Sequence, residues 1–595
     1  MGGIVGLFAV DGRPVPAADV ERMKARSALP AVQPVASASR ACLWFNGRLD
    51  NGDEFAGESS PDRSISDAEA VMAAYEQFGD RFVARLNGDF SLALIDRSQG
   101  RLTLARDVMA SQPLYYCELP GIVLFASEIK CLLAHPSVPA TLDEDGLAEL
   151  VLDYWCDEHR TCFKYIHSVP PGHSVVVDAG GTRRRADWTF DPERQIRYRS
   201  FGDYCDEFRS LFEQAVRRRL RSRNGVAVTV SGGVDSSSIF CQALDSRRAS
   251  VRGISMTFPP GAPSDEQRFL VDIERMYGVS IERVPVTEYA YVGQTEATVR
   301  CLDTPGAIES NLARVLETTT RSGCDVLLSG FFGDQMLSDR GYFVDLARHG
   351  RWPKMRHDFR ELVAWMTDVE PRLFRTEIRA RLVRGIPPRW LFRLVKRLFF
   401  ERRASARYPP WFVEAFRQRA AERAATRFRE PHRFATAHTE QYYRHATAGH
   451  YRNIVRCEAA VAAAHGVDLR YPFRDRDLVA YLMAIPGEIV NWQGVPKGLL
   501  RQALTRLLPA AVRDRRWKAD FTALENTAMR RDAPHVAALL HPECHSVRSG
   551  FVDFAALDRA ARAFASMNDT DGARPGWRLS DLAGLELWLR MLSFA

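Results

Sequence analysis

The sequence predicts an α/β chain of two domains: a sheet-rich, two-layer first part, then a doubly wound, open parallel sheet. Three observations predict it. Short segments of alternating hydrophobicity separated by turn signals fill the first part, to about residue 200. Beyond it, helical and strand patterns alternate, as βα units of a parallel sheet do. Third, Val226-Ala227-Val228-Thr229-Val230 reads as a buried strand and runs into Ser231-Gly232-Gly233-Val234-Asp235-Ser236-Ser237-Ser238 and a helical stretch to Leu244. Glycines at such a turn let the backbone approach a ligand, and the helix N-terminus behind them favours phosphate.

The strands of the first part are expected at Gly3–Val10, Cys42–Phe45, Phe90–Ile95, Leu102–Ala105, Leu114–Cys117 and Ile122–Phe125, with one clear helix at Asp67–Phe78. Residues 180 to 200 are polar and arginine-rich and read as a linker. Then follow a helix at Phe201–Leu220, the strand at Val226–Val230 and the helix from Ser236. Next come a strand at Val251–Phe258 and a helix at Ser264–Met276, opening on the capping box Ser264-Asp265-Glu266-Gln267. A strand at Ile281–Val286, helices at Tyr289–Leu302 and Ile308–Thr320, and a strand at Asp325–Leu328 complete the series.

The 595 residues suffice for two sizeable cores. A net charge of +7 is too mild to argue for nucleic acid. Eleven cysteines without CxxC pairs suit reduced thiols in a cytoplasmic protein. No run of about 20 apolar residues predicts a membrane span, no basic n-region a secretory signal, and Gly6 breaks the myristoylation motif. Residues 336–440 interleave arginines (Arg379, Arg381, Arg393, Arg397, Arg402, Arg403) with aromatics. They suit helices with basic faces, or a groove for a peptide with acidic groups; no nucleic-acid module matches. His541, Cys544 and His545 lack a distant fourth ligand and read as a loop.

The Ser231–Ser237 motif resembles the pyrophosphate loop of ATP pyrophosphatases, which split ATP into AMP and pyrophosphate. The absence of a lysine after the glycines separates it from the Walker loop. The resemblance implies an ATP site at Val230, Ser231, Gly232, Gly233, Asp235, Ser236 and Ser237, with Asp235 holding Mg²⁺. Phe45–Asn51, Leu86–Phe90, Ala105–Asp107, Gln112–Tyr116 and Phe125–Lys130 resemble, in order, the glutaminase domain of asparagine synthetase B-type enzymes. Ser329–Gln335, Gly466–Leu478, Gly494–Arg501 and Arg515–Phe521 resemble their synthetase domain. Together these imply an Ntn-hydrolase-like αββα sandwich over residues 1–195 and an ATP pyrophosphatase domain over 200–595, with helical additions and the insertion at 336–440. They further imply Ser255, Met256, Ser329 and Gly330 at the nucleotide, Asp334 as the second Mg²⁺ ligand, and Lys518 as the catalytic lysine. Glu458 matches the base of β-lactam synthetases, and Asp468 is expected to form a structural ion pair.

Two departures matter. The family begins Met-Cys-Gly-Ile; here Met1-Gly2-Gly3-Ile4 lacks the thiol an N-terminal nucleophile needs, so the domain is expected to keep its fold without glutaminase activity. Cys42 is expected to be a core residue, not a substitute. Phe331 stands where asparagine synthetases carry glutamate and β-lactam synthetases tyrosine, and Gln335 replaces a glutamate. The insertion, closing on Tyr408-Pro409-Pro410-Trp411, resembles lasso-peptide cyclases. That implies ATP- and Mg²⁺-dependent adenylation of an Asp or Glu side chain in a precursor peptide and its closure onto the core's N-terminal amine, with a leader peptidase and a leader-binding protein as partners. A β-lactam synthetase-like enzyme, an ammonia-dependent asparagine synthetase and a non-catalytic scaffold remain as alternatives.

Overall fold

The computed structural model describes the chain except residues 1, 37–40, 56–64, 156, 248–250, 263, 287–298, 307–309, 339, 368–369, 387–404, 427–432, 517–518, 520–526, 529, 566–574 and 594–595. The first part is built on β1 (Val5–Ala9), β2 (Val35–Ala36), β3 (Ala41–Leu49), β4 (Gly88–Asp96), β5 (Arg101–Arg106), β6 (Tyr115–Leu119), β7 (Ile122–Ala126), β8 (His167–Ser168), β9 (His173–Asp178) and β10 (Gly181–Ala186). They form two antiparallel sheets, ordered β1-β7-β6-β8 and β10-β9-β5-β4-β3-β2. Alternation along each strand sends Phe8, Tyr116, Val123 and Phe125 of the first sheet against Ala93, Leu102, Leu104, Val175 and Val177 of the second. The outer face of the larger sheet buries Leu43, Leu92 and Leu94 under the helix Asp67–Phe78. That helix starts on a capping box, with Ser66 and Glu69 each bonding the other's backbone N–H. The smaller sheet packs Leu7, Tyr115 and Leu124 with residues of the helix Glu144–Asp153 and the C-terminal helix Pro575–Ser593. This is the expected αββα layering.

The second part holds five parallel strands: β11 (Val226–Thr229), β12 (Val251–Thr257), β13 (Ile281–Pro285), β14 (Val326–Leu328) and β15 (Asp468–Arg470). Their order is β13-β12-β11-β14-β15. Val226 and Val228 face one side, with Phe208, Phe212 and Ile239. Ala227 and Leu327 face the other, with Leu316 and Leu469. Both faces are covered, so these strands read as continuous apolar runs.

Three local expectations are revised and one strand was not foreseen. The arginine-rich residues after 180 begin with strand β10, paired with β9 along one edge only. An edge strand lacks a second partner, and its exposed arginines discourage edge-to-edge pairing, so polar sequence there mimics a linker. The helix after the glycine turn starts at Val234, which puts Asp235 in its first turn. The capping box at Ser264 does not form: the helix begins at Gln267, because the Asp265 carboxylate instead accepts N–H bonds from Gly261 and Gln267 in the preceding turn. Strand β15 is too short to show a period, and only its motif was legible. Of the expected helix Tyr289–Leu302, residues 289–298 lie outside the described residues, as do Arg393, Arg397, Arg402 and Arg403 of the insertion.

The insertion is helical at Tyr342–Arg348, Trp352–Trp365, Pro371–Gly385 and Glu414–Thr426. Its last helix lies against Glu144–Asp153 of the first part: Arg423 meets Glu149 at 3.1 Å and Arg419 meets Asp145 at 2.9 Å, beside buried Trp411, Phe412 and Phe416. A second bridge between the two parts is ionic and buried. Arg48 pairs with Asp50 and Asp89, each at 2.7 Å. Asp89 reaches Arg219 at 3.3 Å, and Arg219 reaches Asp475 at 2.9 Å. Arg218 adds Asp475 at 3.1 Å and Asp477 at 2.8 Å. Among the described residues no helix is long and apolar enough to cross a membrane.

Candidate active site

From β11 the chain moves to β12 and β13 on one side and to β14 and β15 on the other. Such a switch point leaves a crevice at the carboxyl ends of the strands. A cavity of about 470 Å³ opens there. Val230, Ser231, Gly233, Asp235 and Ser236 line it from the end of β11, Met256 from β12, and Ser329, Gly330 and Asp334 from the loop after β14. The first loop is folded by its own serines: Ser231 N donates to Ser236 Oγ at 3.0 Å. The two loops touch, since a Cβ on Gly330 would stand 3.0 Å from Ser236 N and one on Gly333 would stand 2.6 Å from the Asp235 carboxyl carbon. Larger residues at either place would push Asp235 away from Asp334.

Between the two aspartates lies a group with no role assigned from sequence. Lys497 Nζ donates to Asp235 Oδ2 at 2.5 Å and to Asp334 Oδ1 at 2.6 Å. Burial alone would lower its pKa; the two carboxylates more than reverse this and hold it above the ordinary lysine value. Lys497 has φ +60°, a left-handed conformation costly for a side-chain-bearing residue. The ammonium shows that the space between the carboxylates takes a cation, and paired carboxylate oxygens are the donor set Mg²⁺ prefers. Asp235 and Asp334 therefore fit the metal.

Glu458, on the helix Gly449–Ala464, also lines the cavity. The Tyr471 hydroxyl donates to its Oε2 at 2.7 Å. Burial and the neighbouring carboxylate push the Tyr471 pKa well up, so it stays a donor. Phe331 packs its ring edge-on to Tyr471, at 5.8 Å between centroids, rather than entering the cavity wall. Asp468 pairs with Arg470 at 2.7 Å, as expected of a structural residue.

Three expected site residues sit behind the wall. Ser255 and Ser237 are buried, at 2% and 0% exposure. Alternation along β12 turns Met256 outward and Ser255 inward, and Ser237 lies on the core side of its helix. Gly232, at φ +76°, faces Phe269 of the adjacent helix. Lys518 lies outside the described residues; Arg516 and Ala519, either side of it, line the cavity. Sequence reading also missed the far wall. Glu266 pairs there with Arg515, and the insertion contributes Arg340, Leu362, Trp365 and Met366. Arg515 and Glu266 stood in motifs that gave them no such role, and only the fold brings these residues to the loops after β11 and β14.

At the other candidate site, Gly2 N donates to Asn46 Oδ1 at 3.1 Å, and Asn46 Nδ2 donates to Gln112 Oε1 at 3.0 Å. A Cβ on Gly2 would meet Val32 Cγ2 at 2.7 Å and Pro30 O at 3.0 Å. Gly47, Arg48, Asp89 and Gln112 enclose, with Arg470, Tyr471 and Arg474, a space of about 20 Å³. That is room for about one water. Cys42, half-buried on β3, has its thiol pKa raised by burial, which lowers its share of thiolate, the nucleophilic form.

Residues 207–590 match the asparagine synthase family, and residues 24–188 match the glutamine amidotransferase domain. The glutamine-hydrolysing asparagine synthetase 3 of Bacillus subtilis is 24% identical over 490 residues, 78% of this chain and 73% of the relative. Asparagine synthetase 1 of the same organism is 22% identical over 489 residues, 80% of this chain and 74% of the relative. The amidase chyE of Penicillium rubens is 27% identical over 288 residues, 45% of this chain and 42% of the relative.

Proposed function

Because the chain belongs to the asparagine synthase family, a family of ATP-dependent amide-forming ligases, we propose that it is an AMP-forming lasso-peptide cyclase. It activates an Asp or Glu side chain of a precursor core peptide and closes it onto the core's N-terminal amine. The observation that carries this reading is a contrast between the two sites. The nucleotide loops, paired carboxylates and open cavity are intact, while the Gly2 position has no thiol and no space for one. An amide-forming enzyme without its own ammonia supply uses free ammonia or an amine of its substrate, and the insertion residues that line the cavity favour the larger, amine-bearing substrate.

The residues then divide the work. The amides of the Ser231–Ser236 loop and the helix starting at Val234 receive the phosphate chain of ATP. Mg²⁺ held by Asp235 and Asp334 would neutralise pyrophosphate as it leaves. A carboxylate oxygen of the peptide attacks the α-phosphorus, pyrophosphate departs, and an acyl-adenylate forms. Glu458, oriented by Tyr471, takes a proton from the incoming amine. The nitrogen attacks the acyl carbon and AMP leaves, with Lys518 stabilising the negative charge that develops. The walls supplied by Leu362, Trp365 and Met366 hold water away from the adenylate. The partners proposed are the precursor peptide, a leader peptidase and a leader-binding protein.

The test is pyrophosphate release with ATP and Mg²⁺ across a substrate panel. Release with linear peptides that carry a free N-terminus and an internal Asp or Glu supports the cyclase. Release only with aspartate plus ammonia, or only with a small β-amino acid derivative, rejects it. A separate prediction concerns the first domain. Gly2→Cys is expected to release no ammonia from glutamine, because Val32 and Pro30 fill the space a thiol needs. A glutamate-producing Gly2→Cys variant would show that this loop yields and that the domain is only one substitution from activity.

A further inference from the structure

Four arginines, Arg340, Arg501, Arg515 and Arg516, line the cavity together with Lys497, and these cations are not equally paired. Lys497 has Asp235 and Asp334, Arg515 has Glu266, and Arg340 has Glu377. Among the described residues, no carboxylate lies within ion-pair distance of Arg501 or Arg516. Arg501 is 8% exposed, and its hydrogen bonds run to the neutral carbonyls of Pro496 and Arg513. Asp235 and Asp514 act on Arg501 only from beyond ion-pair distance, and a buried guanidinium bonded to neutral oxygens at the edge of an open cavity is costly unless an anion joins it.

Both guanidiniums lie over one ring. The Arg501 and Arg516 Cζ atoms are 5.1 Å and 5.2 Å from the centroid of Trp365. Trp365 ends the insertion helix Trp352–Trp365. That helix is seated firmly against the turn carrying Lys497: Gly494, at φ +80°, lies so close that a Cβ there would meet Asp358 O at 2.5 Å. Arg351 adds a contact to Glu488 at 2.7 Å. The indole is thus fixed relative to the aspartates by the insertion, not by the nucleotide-binding sheet. An indole face attracts cations and restrains planar guanidiniums, and two of them presented together suit the paired oxygens of a phosphate chain.

We propose that Trp365 is a positioning residue which holds Arg501 and Arg516 as a clamp for the phosphate chain of the nucleotide, so that the insertion completes the ATP site. The proposal rests on the nucleotide reading of the cavity and is independent of which acceptor is used. It assigns the insertion a task besides contact with a peptide.

The experiment is equilibrium binding, by calorimetry, of three probes to the full chain: inorganic pyrophosphate with Mg²⁺, ATP with Mg²⁺, and adenosine. For Trp365→Ala the expected result is pyrophosphate and ATP affinity weakened about tenfold or more, with adenosine affinity and the melting temperature nearly unchanged. Trp365→Phe, which keeps an aromatic face, is expected to recover most of the loss. Combining Trp365→Ala with Arg516→Gln is expected to add little further loss, since the two act as one unit. Unchanged pyrophosphate affinity in Trp365→Ala, with only peptide turnover impaired, would overturn the clamp and leave Trp365 as an acceptor wall. An equal loss of adenosine affinity would overturn it as a general collapse of the site. A wild-type chain that binds neither adenosine nor ATP would remove the nucleotide reading itself, and the clamp with it.

Discussion

Asp235→Asn is expected to lower ATP-dependent pyrophosphate release by about 10³-fold or more, with the fold retained. A bridging metal contributes several kcal/mol of transition-state stabilisation, and each 1.36 kcal/mol is about a factor of ten. Asp235 is the more enclosed of the two carboxylates, with its side chain 16% exposed against 40% for Asp334. Water replaces a lost ligand less easily at the enclosed position, so Asp334→Asn is expected to follow in the same direction with a smaller loss. Both variants should require more Mg²⁺ for half-maximal activity. The measurement is pyrophosphate release against Mg²⁺ concentration, with circular dichroism as the control for folding. Near-normal release by Asp235→Asn would remove the metal role from this pair. The same substitution strips Lys497 of one of its two counter-ions, so the Lys497 contact to Asp334 alone should persist.

Arg219→Met is expected to destabilise the chain by about 3–5 kcal/mol, the cost of breaking a buried ion pair from one side. Arg219 and Asp475 are 1% and 2% exposed as side chains, and Asp89 completes the contact from the first part. Removing the cation leaves two buried carboxylates with one partner fewer. The pH dependence carries a sign. Burial alone would raise the Asp89 pKa, but Arg219 and then Arg48 outweigh it and hold the carboxyl well below the usual range. A depressed acid of this kind contributes stability above its unfolded pKa of about 4, and that stability disappears as the pH falls through the folded value. Without Arg219, Asp89 moves back up, so the variant is expected to unfold at higher pH than the parent during acid titration. Urea unfolding at neutral pH and acid titration by fluorescence read the two effects. Equal stability of parent and variant would show that the bridge contributes specificity of docking rather than free energy.

The parts of this molecule that could be read from the sequence are those whose cause is local. The run Val226–Val230 is apolar on both faces because the strand is covered on both, and the two glycines after it mark the turn. The helix Asp67–Phe78 shows its period and its cap. The alternation of β5 follows from Leu102 and Leu104 on the sheet–sheet core, and that of β4 from Leu92 and Leu94 under the helix Asp67–Phe78. Asp235 and Asp334 each sit inside a recognisable loop, and so could be named before they were seen side by side. Lys497 could not: its partner Asp235 is 262 residues away in the chain, and nothing around a Pro-Lys-Gly turn announces a buried ammonium. Trp365 and Arg501 belong to helices whose own patterns account for them fully, and only the crossing of those helices makes a site. Strand β10 was hidden for a different reason, because an arginine-bearing edge strand and a linker have the same composition.

The two sites also explain each other. Among the motif residues that resemble a glutaminase, Arg48 and Asp89 belong to the ion bridge toward Arg219, and the space beside them has room for about one water. The first part also meets the helix carrying Glu458, where Arg456 donates to the Tyr115 hydroxyl at 2.8 Å. The arginine-rich insertion meets the first part separately, through Arg419 and Arg423 on the helix Glu144–Asp153.

The most direct test uses a linear core peptide with a free N-terminus, whose internal acidic side chain carries heavy oxygen in both carboxylate positions. It is incubated with the full chain, ATP, Mg²⁺ and unlabelled glutamine, and the products are weighed by mass spectrometry. The account predicts AMP with one heavy oxygen in its phosphate, and a peptide lighter by two ordinary hydrogens and that heavy oxygen, with the other heavy oxygen kept in the new amide and the glutamine untouched. Unlabelled AMP, ADP in place of AMP, or a peptide amidated with nitrogen from glutamine would contradict it.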